Sequence, residues 1–301
     1  MIKSIKVTNY VGDTITLELS KPQDSGLLVY NVEGIGPPRA DINTTDVATV
    51  DGSVFNSARA TTRNIVVSMK YLFDPMVEDV RHKSYKYFPV KKQVKLEFLT
   101  DRRECEIYGY VESNEPNIFS SQEYTQISII CPDPYFYALK KKLTTFYGII
   151  PRFYFPFSNK SLTKKKLIMG EIRIDKSQTV YYEGDAEVGI VMYIHAIGDV
   201  SNITIYKLDT REIMAIDTNK IEKITGAPFG AGDEIIISTV SRQKYIRLLR
   251  GGKYTNIINA LDRNADWFQL QKGDNVFAYT AEYGEDNLQF RIENQVVYEG
   301  V

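Results

Sequence analysis

The sequence predicts a mainly β protein with one principal helix. First, the 301 residues include 21 tyrosines and 14 phenylalanines, and aromatic residues favour strands. Second, apolar and polar residues alternate with a period of two in many short segments. Third, glycine, proline, asparagine and aspartate residues typical of turns separate these segments.

The first hundred residues contain the clearest alternation. Lys3–Thr8 and Thr14–Leu19 flank a Val-Gly-Asp turn and are predicted to form a hairpin. In Asn64–Tyr71 every second residue is apolar, which predicts a strand with one buried face. Val94, Leu96 and Phe98 follow the same rule.

The principal helix is predicted from about Pro75 to Tyr87. Asp74 is a suitable N-cap, and proline is favoured at the first helical position. Glu78 and Asp79 complement the positive end of the helix dipole. The helix should end before Pro89, because the residue before a proline disfavours the helical conformation.

A polar stretch from Asp41 to Arg63 interrupts the strands. It predicts either an extended loop or a long protruding hairpin. Because such long excursions are usually functional, we expect it to reach for a neighbouring subunit. The candidate residues of this intersubunit arm are Asp51, Phe55, Arg59 and Arg63.

A domain boundary is predicted at Cys131–Pro134, because two prolines do not fit a central strand. The prediction is an N-terminal domain over 1–138, a linker over 139–169 and a second domain over 170–301. The linker contains the aromatic segment Phe153–Phe157 between the lysine triplets Lys140–Lys142 and Lys164–Lys166. Each triplet is a candidate contact for a polyanion, although simple surface solubilisation is the favoured interpretation.

The second domain is predicted to be a β-sandwich or jelly roll, because many short alternating segments follow one another. One short helix is predicted near Thr255–Leu261. The predicted strands are Ile172–Ile174, Ile190–Ala196, Ile203–Leu208, Ile213–Ile216, Glu234–Thr239, Ile246–Leu249, Val276–Ala281, Leu288–Ile292 and Val296–Tyr298.

Charge and targeting signals narrow the class of protein. The chain has 37 basic and 38 acidic residues, for a net charge of −1, which argues against a dedicated nucleic-acid binder. Met1–Tyr10 lacks the apolar region of a secretory signal, and no apolar run approaches the ~20 residues of a membrane span. We therefore expect synthesis in a cytoplasm. Cys105 and Cys131 form either a disulfide or, as we favour, two buried free thiols.

A search for catalytic chemistry finds little, so we predict no enzyme activity, no cofactor and no metal. Zinc needs clustered cysteine and histidine ligands, and the glycine-rich stretches lack the spacing of a phosphate-binding loop. The isolated candidates, for which a structural or solvated role is favoured, are His82, His195, the pair Glu104 and Glu106, and the pair Asp262 and Asp266.

The single tryptophan, Trp267, has two interpretations. Its ring is a candidate platform for a sugar, with Asp266 and Gln269 as polar partners. A β-sandwich also needs bulky aromatic residues for its packing, and tryptophan buries a large area wherever it packs. Packing is the favoured interpretation.

In the first half, Leu28–Pro38, Asp51–Arg59, Arg63–Val67 and Cys131–Tyr137 resemble the distal tail protein family of long-tailed, siphovirus-like bacteriophages. In the second half the resemblance rests on Trp267-Phe268, Leu270–Asn275 and Val297–Val301. It implies a ring-forming belt domain at the N-terminus and a galectin-like β-sandwich at the C-terminus.

The resemblance also implies a function. Such proteins are structural virion proteins that form a ring, usually a hexamer, at the tail tip. The ring joins the tail tube protein to the tail-tip or baseplate hub and provides attachment for the tail lysin and the receptor-binding protein. DNA passes through the channel without specific binding, and no membrane is involved. Assembly would take place in the host bacterial cytoplasm. The alternative is a carbohydrate-binding module that recognises host cell-wall glycans through the second domain.

Overall fold

A computed structural model describes residues 1–48, 51–72, 76–151 and 170–301, without the side chains of 149–151 and 170–172. The chain divides into two compact units. Unit 1 comprises Met1–Lys140 together with Val297–Val301, and unit 2 comprises Lys141–Val296. The fold class is mainly β, as predicted.

Unit 1 is built on one antiparallel sheet and one helix. The helix α1 spans Val77–Tyr87. The strands are β1 (Ile2–Thr8), β2 (Thr14–Glu18), β3 (Leu27–Glu33), β4 (Ala40–Asp46), β5 (Ser53–Ala60), β6 (Arg63–Tyr71), β7 (Gln93–Thr100), β8 (Glu104–Asn117), β9 (Tyr124–Cys131) and β10 (Phe136–Thr145).

The main sheet of unit 1 has the hydrogen-bonded order β2-β1-β7-β8-β9-β6-β3, and β10 also pairs with β8. β1 and β2 form the predicted hairpin, with Val7 opposite Ile15. Alternate residues of β6 and β7 are buried as predicted, for example Ile65 and Leu96. The sheet is not closed, because β2 and β3 lie at its two ends.

The helix α1 covers the core of unit 1 through Val80 and Ser84, both fully buried. The hydroxyl oxygens of Ser84 and Tyr71, which lies in β6, are 3.1 Å apart. The N-cap position is occupied by Met76, whose side chain makes no capping hydrogen bond. The predicted cap Asp74 and the predicted first helical residue Pro75 lie outside the described residues.

The described residues of unit 2 contain one α-helix, α2 (Thr218–Thr225), and a larger number of strands than those of unit 1. They are β11 (Tyr147–Pro151), β12 (Gly170–Ile174), β13 (Ser177–Tyr182), β14 (Val188–Gly189), β15 (Val191–Ala196), β16 (Ser201–Lys207), β17 (Glu212–Ile216), β18 (Glu234–Ser238), β19 (Tyr245–Arg250), β20 (Lys253–Asn256), β21 (Gln269–Leu270), β22 (Gly273–Tyr283) and β23 (Leu288–Tyr298).

Two antiparallel sheets of unit 2 pack against each other as a sandwich. One has the order β23-β15-β18-β19-β20 and the other β13-β22-β16-β17. Between them the ring of Tyr279 from β22 lies 5.3 Å from that of Phe290 from β23. Phe146 contacts the same Phe290 ring edge-on at 4.7 Å. Aromatic side chains therefore supply the centre of this core, where edge-on pairs are favourable.

Two expectations for unit 2 were wrong, and one helix was missed. The predicted helix Thr255–Leu261 is the end of β20 followed by a single 3-10 turn at Ile258–Ala260, because backbone pairing with β19 outweighs the local helical pattern. Leu288–Ile292 and Val296–Tyr298 belong to one continuous strand, β23. The helix α2 was not predicted, although Asp217 caps it and Gly226 ends it at φ 78°.

Other expectations have mixed outcomes. Cys105 and Cys131 are buried free thiols, as favoured. The segments Phe153–Phe157 and Lys164–Lys166 lie outside the described residues. The division into an N-terminal domain (1–138), a linker (139–169) and a second domain (170–301) stays a prediction.

Candidate functional site

The polar excursion of the sequence is a long hairpin that projects from unit 1. We call it the arm, residues Ala40–Ala60, formed by β4 and β5. Ala40 pairs with Ala60 and Asp46 with Ser53. Every residue of the two strands is exposed. The arm therefore makes no core with the rest of its own chain.

Polar contacts hold the two arm strands together. The Arg59 guanidinium donates to Asp41 Oδ2 at 3.1 Å. The side-chain amide of Asn56 donates to Thr45 Oγ1 at 2.6 Å. Such exposed contacts contribute at most about 1 kcal/mol each. An isolated two-stranded hairpin is only marginally stable in water, so the arm gains little stability from its own contacts.

The strand register divides the arm into two unlike faces. Along β4, Ile42 and Thr44 point to one side, since side chains alternate. Ile42 pairs with Ala58 and Thr44 with Phe55, so these residues share that side. The other side carries the Arg59–Asp41 ion pair. Ile42 is 62% exposed and Phe55 63% exposed, so the apolar face is open to solvent.

The predicted arm residues occupy different positions. Asp51 is exposed in the turn between the strands, and Phe55 and Arg59 are exposed on β5. Arg63 lies beyond the arm, at the start of β6, and is only 4% exposed. It therefore anchors the foot of the arm and presents no surface to a neighbour.

Arg63 joins separate segments through backbone carbonyls. Its guanidinium donates to the oxygens of Pro134 at 2.6 Å and Glu299 at 2.7 Å, and also to those of Gly34 and Gly36. It also lies over the Phe136 ring, 4.6 Å from the centroid. Only a guanidinium presents a planar fork of donors of this kind.

The charge of Arg63 is costly to bury. Burial lowers the pKa of its guanidinium below the ordinary value, an effect that the neighbouring Cys131 and Glu299 oppose. Its four carbonyl partners replace the water that the cation loses. One of them belongs to Gly34, at φ 79°, where a Cβ atom would lie 1.9 Å from the Asn64 carbonyl oxygen. Glycine is required at that position.

The residues 297–301 are held beside the foot of the arm, within unit 1. The amide of Val301 donates to the Ile35 carbonyl at 3.1 Å. Arg103 donates to the Gly300 carbonyl at 2.8 Å and lies over the Tyr298 ring at 4.3 Å. Two arginines thus fix this segment next to the loop that leads into the arm. Sequence patterns do not show such contacts, because the residues are far apart along the chain.

Trp267, the candidate sugar platform in unit 2, is half-buried. The Lys244 ammonium lies over its ring, 5.1 Å from the centroid. The next residue, Phe268, is fully buried and packs edge-on against Phe277 at 5.8 Å. Core packing in this segment is therefore the role of Phe268, whereas Trp267 is only half-buried.

The polar neighbours of Trp267 are engaged within the protein. Asp266 Oδ2 accepts from the Ile213 amide at 3.0 Å. The side-chain amide of Gln269 donates to the Thr239 carbonyl at 3.3 Å, and the Gln269 carbonyl accepts from the buried Lys207 ammonium at 2.8 Å. These contacts hold the segment in place and leave fewer groups for a ligand.

The isolated titratable residues do not form an evident catalytic constellation. His82 is exposed on α1, with its ring 5.9 Å from that of Tyr85. His195 lies on β15 opposite Glu234 and Gln289. Among the described residues, no cluster of histidine, cysteine, aspartate or glutamate is arranged to hold a metal ion.

The other candidate residues make surface contacts. Glu106 lies 3.5 Å from the Lys95 ammonium, whereas Glu104, Asp262 and Asp266 are exposed. In the first lysine triplet, Lys141 pairs with Glu293 at 2.8 Å and Lys142 with Glu183 at 3.2 Å. In the described part of the chain no helix has the length and apolarity needed to cross a membrane.

Comparisons with known proteins agree with this architecture. Residues 183–293 match the family model of the siphovirus-type tail component, C-terminal domain. No curated protein sequence matches the chain. The crystal structure of the SPP1 Dit protein, described as a paradigm of the hub adsorption apparatus in phages that infect Gram-positive bacteria, is similar with a TM-score of 0.64. The two chains are 14% identical over 97% of this chain and 98% of that one.

Two structures of the phage P2 baseplate in its activated conformation have lower scores. The one with Ca has a TM-score of 0.45 at 14% identity, covering 98% of each chain. The one with Sr has a TM-score of 0.43 at 13% identity, covering 97% of each chain. The predicted resemblance to distal tail proteins is confirmed. Residues 183–293 match the model of the C-terminal domain of siphovirus-type tail components, and the fold of the chain is similar to that of SPP1 Dit over nearly its full length.

Proposed function

We propose that this protein is a structural component of a phage tail tip, where copies of it form a closed hexameric ring that catalyses no reaction. The observation that carries the proposal is the full-length similarity to the SPP1 Dit hub protein, together with the match of residues 183–293 to a tail component domain. The ring would join the tail tube protein to the tail-tip hub.

The arm supports self-assembly. It exposes an apolar face that its own chain leaves uncovered. A contact between different patches of identical subunits is heterologous, and it gives a ring when its rotation closes. An arm that reaches the next copy is such a contact. The six-fold number comes from the distal tail protein family.

The reach of the arm suits a contact between subunits. β5 has 8 residues, which at about 3.4 Å per residue span about 27 Å. A unit of about 140 residues has an expected radius of gyration of about 14 Å. The arm is therefore long enough to lie across the surface of an adjacent copy.

The remaining partners follow from the same role. Unit 2 would carry the contacts to the tail lysin and to the receptor-binding protein. DNA would pass through the ring without specific binding, which a chain of net charge −1 permits. The site of action would be the virion tail tip, after synthesis in the host cytoplasm.

The oligomeric state tests the proposal directly. We expect the purified protein to form a ring with a central hole, visible by negative-stain microscopy, and to have the mass of a closed oligomer by light scattering. Two results together would contradict the proposal: the purified protein stays monomeric at every concentration, and the tail tip of the virion lacks the protein.

A second function, glycan binding by unit 2, is favoured by the half-buried position of Trp267. Aromatic faces are common contact surfaces for ligands with one apolar side. The test compares Trp267→Ala with Phe268→Ala. We expect Trp267→Ala to remain folded, and Phe268→Ala to lose about 3–5 kcal/mol of stability because its side chain is fully buried.

The binding measurement uses cell-wall polysaccharide and calorimetry. If the glycan function holds, the wild type binds and folded Trp267→Ala does not. Equal binding by both proteins, or none by the wild type, would rule out a platform at Trp267.

A further inference from the structure

Unit 1 contains an open apolar groove of about 360 Å³ beside the free end of its sheet. The groove is lined by Met1, by residues of β1 and β3, by Leu19 directly after β2, and by Ile35 in the loop that precedes the arm. The residues that matter here are Ile2, Leu19, Val29, Tyr30, Val32 and Ile35. Apart from Tyr30, these side chains are aliphatic, and Val29 belongs to the buried core.

The strand beside this groove has an unused edge. Within the described residues, β3 pairs with β6 on one side and with no strand on the other. The backbone groups on such an edge can receive an additional strand. An apolar groove next to a free edge therefore has the two features that strand addition uses, namely backbone hydrogen bonds and pockets for alternate side chains.

The same chain carries a segment of matching chemistry. The arm is a two-stranded sheet whose strands pair only with each other in the described structure. Its apolar face presents Ile42, Ala58 and Phe55. When a strand adds to β3, its alternate side chains lie on the same side as Val29 and therefore over the groove.

We propose that the arm of one copy adds to the free edge of β3 in the next copy and places Ile42 and Phe55 in that groove. This inference rests on the proposed ring, for which it supplies the surface that receives the arm. The arm does not occupy the groove of its own chain, because Ile42 and Phe55 remain 62% and 63% exposed there.

Cross-linking between differently tagged copies tests the contact. One copy carries Asn31→Cys, at a β3 residue that also lines the groove, and the other carries Ala58→Cys on the apolar face of the arm. The control pair combines Ala58→Cys with Phe119→Cys, because Phe119 is 96% exposed on unit 1 and lies outside the groove. Mixed tags ensure that only contacts between copies are counted. The native thiols are buried and should not react with a short bismaleimide.

Association measurements provide a second test. Val32→Asp in the groove and Phe55→Asp on the arm should each weaken association about 30-fold, as expected for a central contact. The double variant should be little weaker than either single variant, because residues that touch each other are not additive. Phe119→Asp is the matched control and should change association less than about twofold. Circular dichroism establishes that each variant is folded.

The outcomes separate the two proposals. Cross-linking of the groove pair but not the control pair, with non-additive variants, supports the groove. A ring that forms while the groove pair fails to cross-link, or while the two substitutions act additively, overturns the groove assignment and leaves the ring standing. A wild type that is monomeric at all concentrations overturns both.

Discussion

At the scale of single residues, Arg63 shows how one side chain can organise distant segments. Its guanidinium contacts the carbonyls of Pro134 and Glu299 as well as the Gly34–Gly36 loop. The loop leads into the arm, and Glu299 belongs to the segment Val297–Val301 of unit 1. Burying a cation costs several kcal/mol unless its donors are satisfied, so the position tolerates few alternatives.

We expect Arg63→Lys to lower the free energy of unfolding by about 2–4 kcal/mol, because an ammonium cannot reach carbonyls on several sides and leaves some unpaired. Arg59→Lys on the exposed arm is the matched control and should cost less than about 0.5 kcal/mol. Urea titration followed by circular dichroism measures both values. Equal effects of the two substitutions would refute the anchoring role of Arg63.

The two buried thiols give a pH dependence. Burial raises the pKa of Cys105 to about 11 and that of Cys131 to about 12, from an ordinary value of 9.0. Between pH 9.0 and these raised pKa values, the thiols of the unfolded chain lose protons that the folded chain still holds. The free energy of unfolding therefore falls as the pH rises through this range.

We therefore expect the free energy of unfolding to be insensitive to these thiols below pH ~8.5 and to decrease above it. Comparing the wild type with Cys105→Ala/Cys131→Ala in urea titrations at pH 8 and pH 10 isolates their contribution. A wild type that loses no more stability than the variant between these pH values would contradict the prediction.

At the scale of elements, the arm is the part of unit 1 that the fold itself does not need. All residues of β4 and β5 are exposed, and substitutions at exposed positions usually change stability by less than about 0.5 kcal/mol. The arm is nevertheless a regular hairpin, with a bulge between Asn43 and Thr44. An exposed regular element of this kind is available for the contact between copies that we propose.

Replacing residues 41–59 with a short glycine-containing turn should leave the unfolding midpoint in urea unchanged and should abolish the ring. The physical reason is that the deletion removes no buried area from the monomer, whereas it removes the proposed contact with the neighbour. Light scattering and circular dichroism of the same sample measure both properties. A shortened protein that still forms rings would show that the arm is not the assembly contact.

The helices illustrate what local sequence signals can predict. α1 was predicted from its acidic first turn, and it ends at Tyr87 as expected. α2 was missed, although Asp217 and Gly226 are ordinary start and stop signals. Thr255–Leu261 was predicted as a helix, but β20 pairs there with β19 and the Asn256 side chain accepts from the Ile258 amide. Tertiary pairing outweighs weak local propensity.

At the scale of the whole molecule, the chain separates into two compact units of similar size. The two differ in how they are built. Among the described residues, unit 1 is built on one open antiparallel sheet, a helix and the two-stranded arm, and unit 2 is built on a sandwich of two larger sheets with two further two-stranded pairs. An open sheet leaves strand edges for assembly, whereas a sandwich buries both inner faces. The proposed ring uses this difference, because it assigns the contacts between copies to unit 1.

The sequence by itself determined the β class, the alternating buried faces of strands such as β6 and β7, and the position of the arm. These properties depend on periodicity and on turn residues, which are local. Only the tertiary structure decided that Arg63 is an internal anchor, that Phe268 and not Trp267 is the core residue, and that residues 297–301 belong with unit 1. Each of these depends on contacts between residues far apart in the chain, and no local pattern of amino acids encodes which distant backbone a side chain will meet.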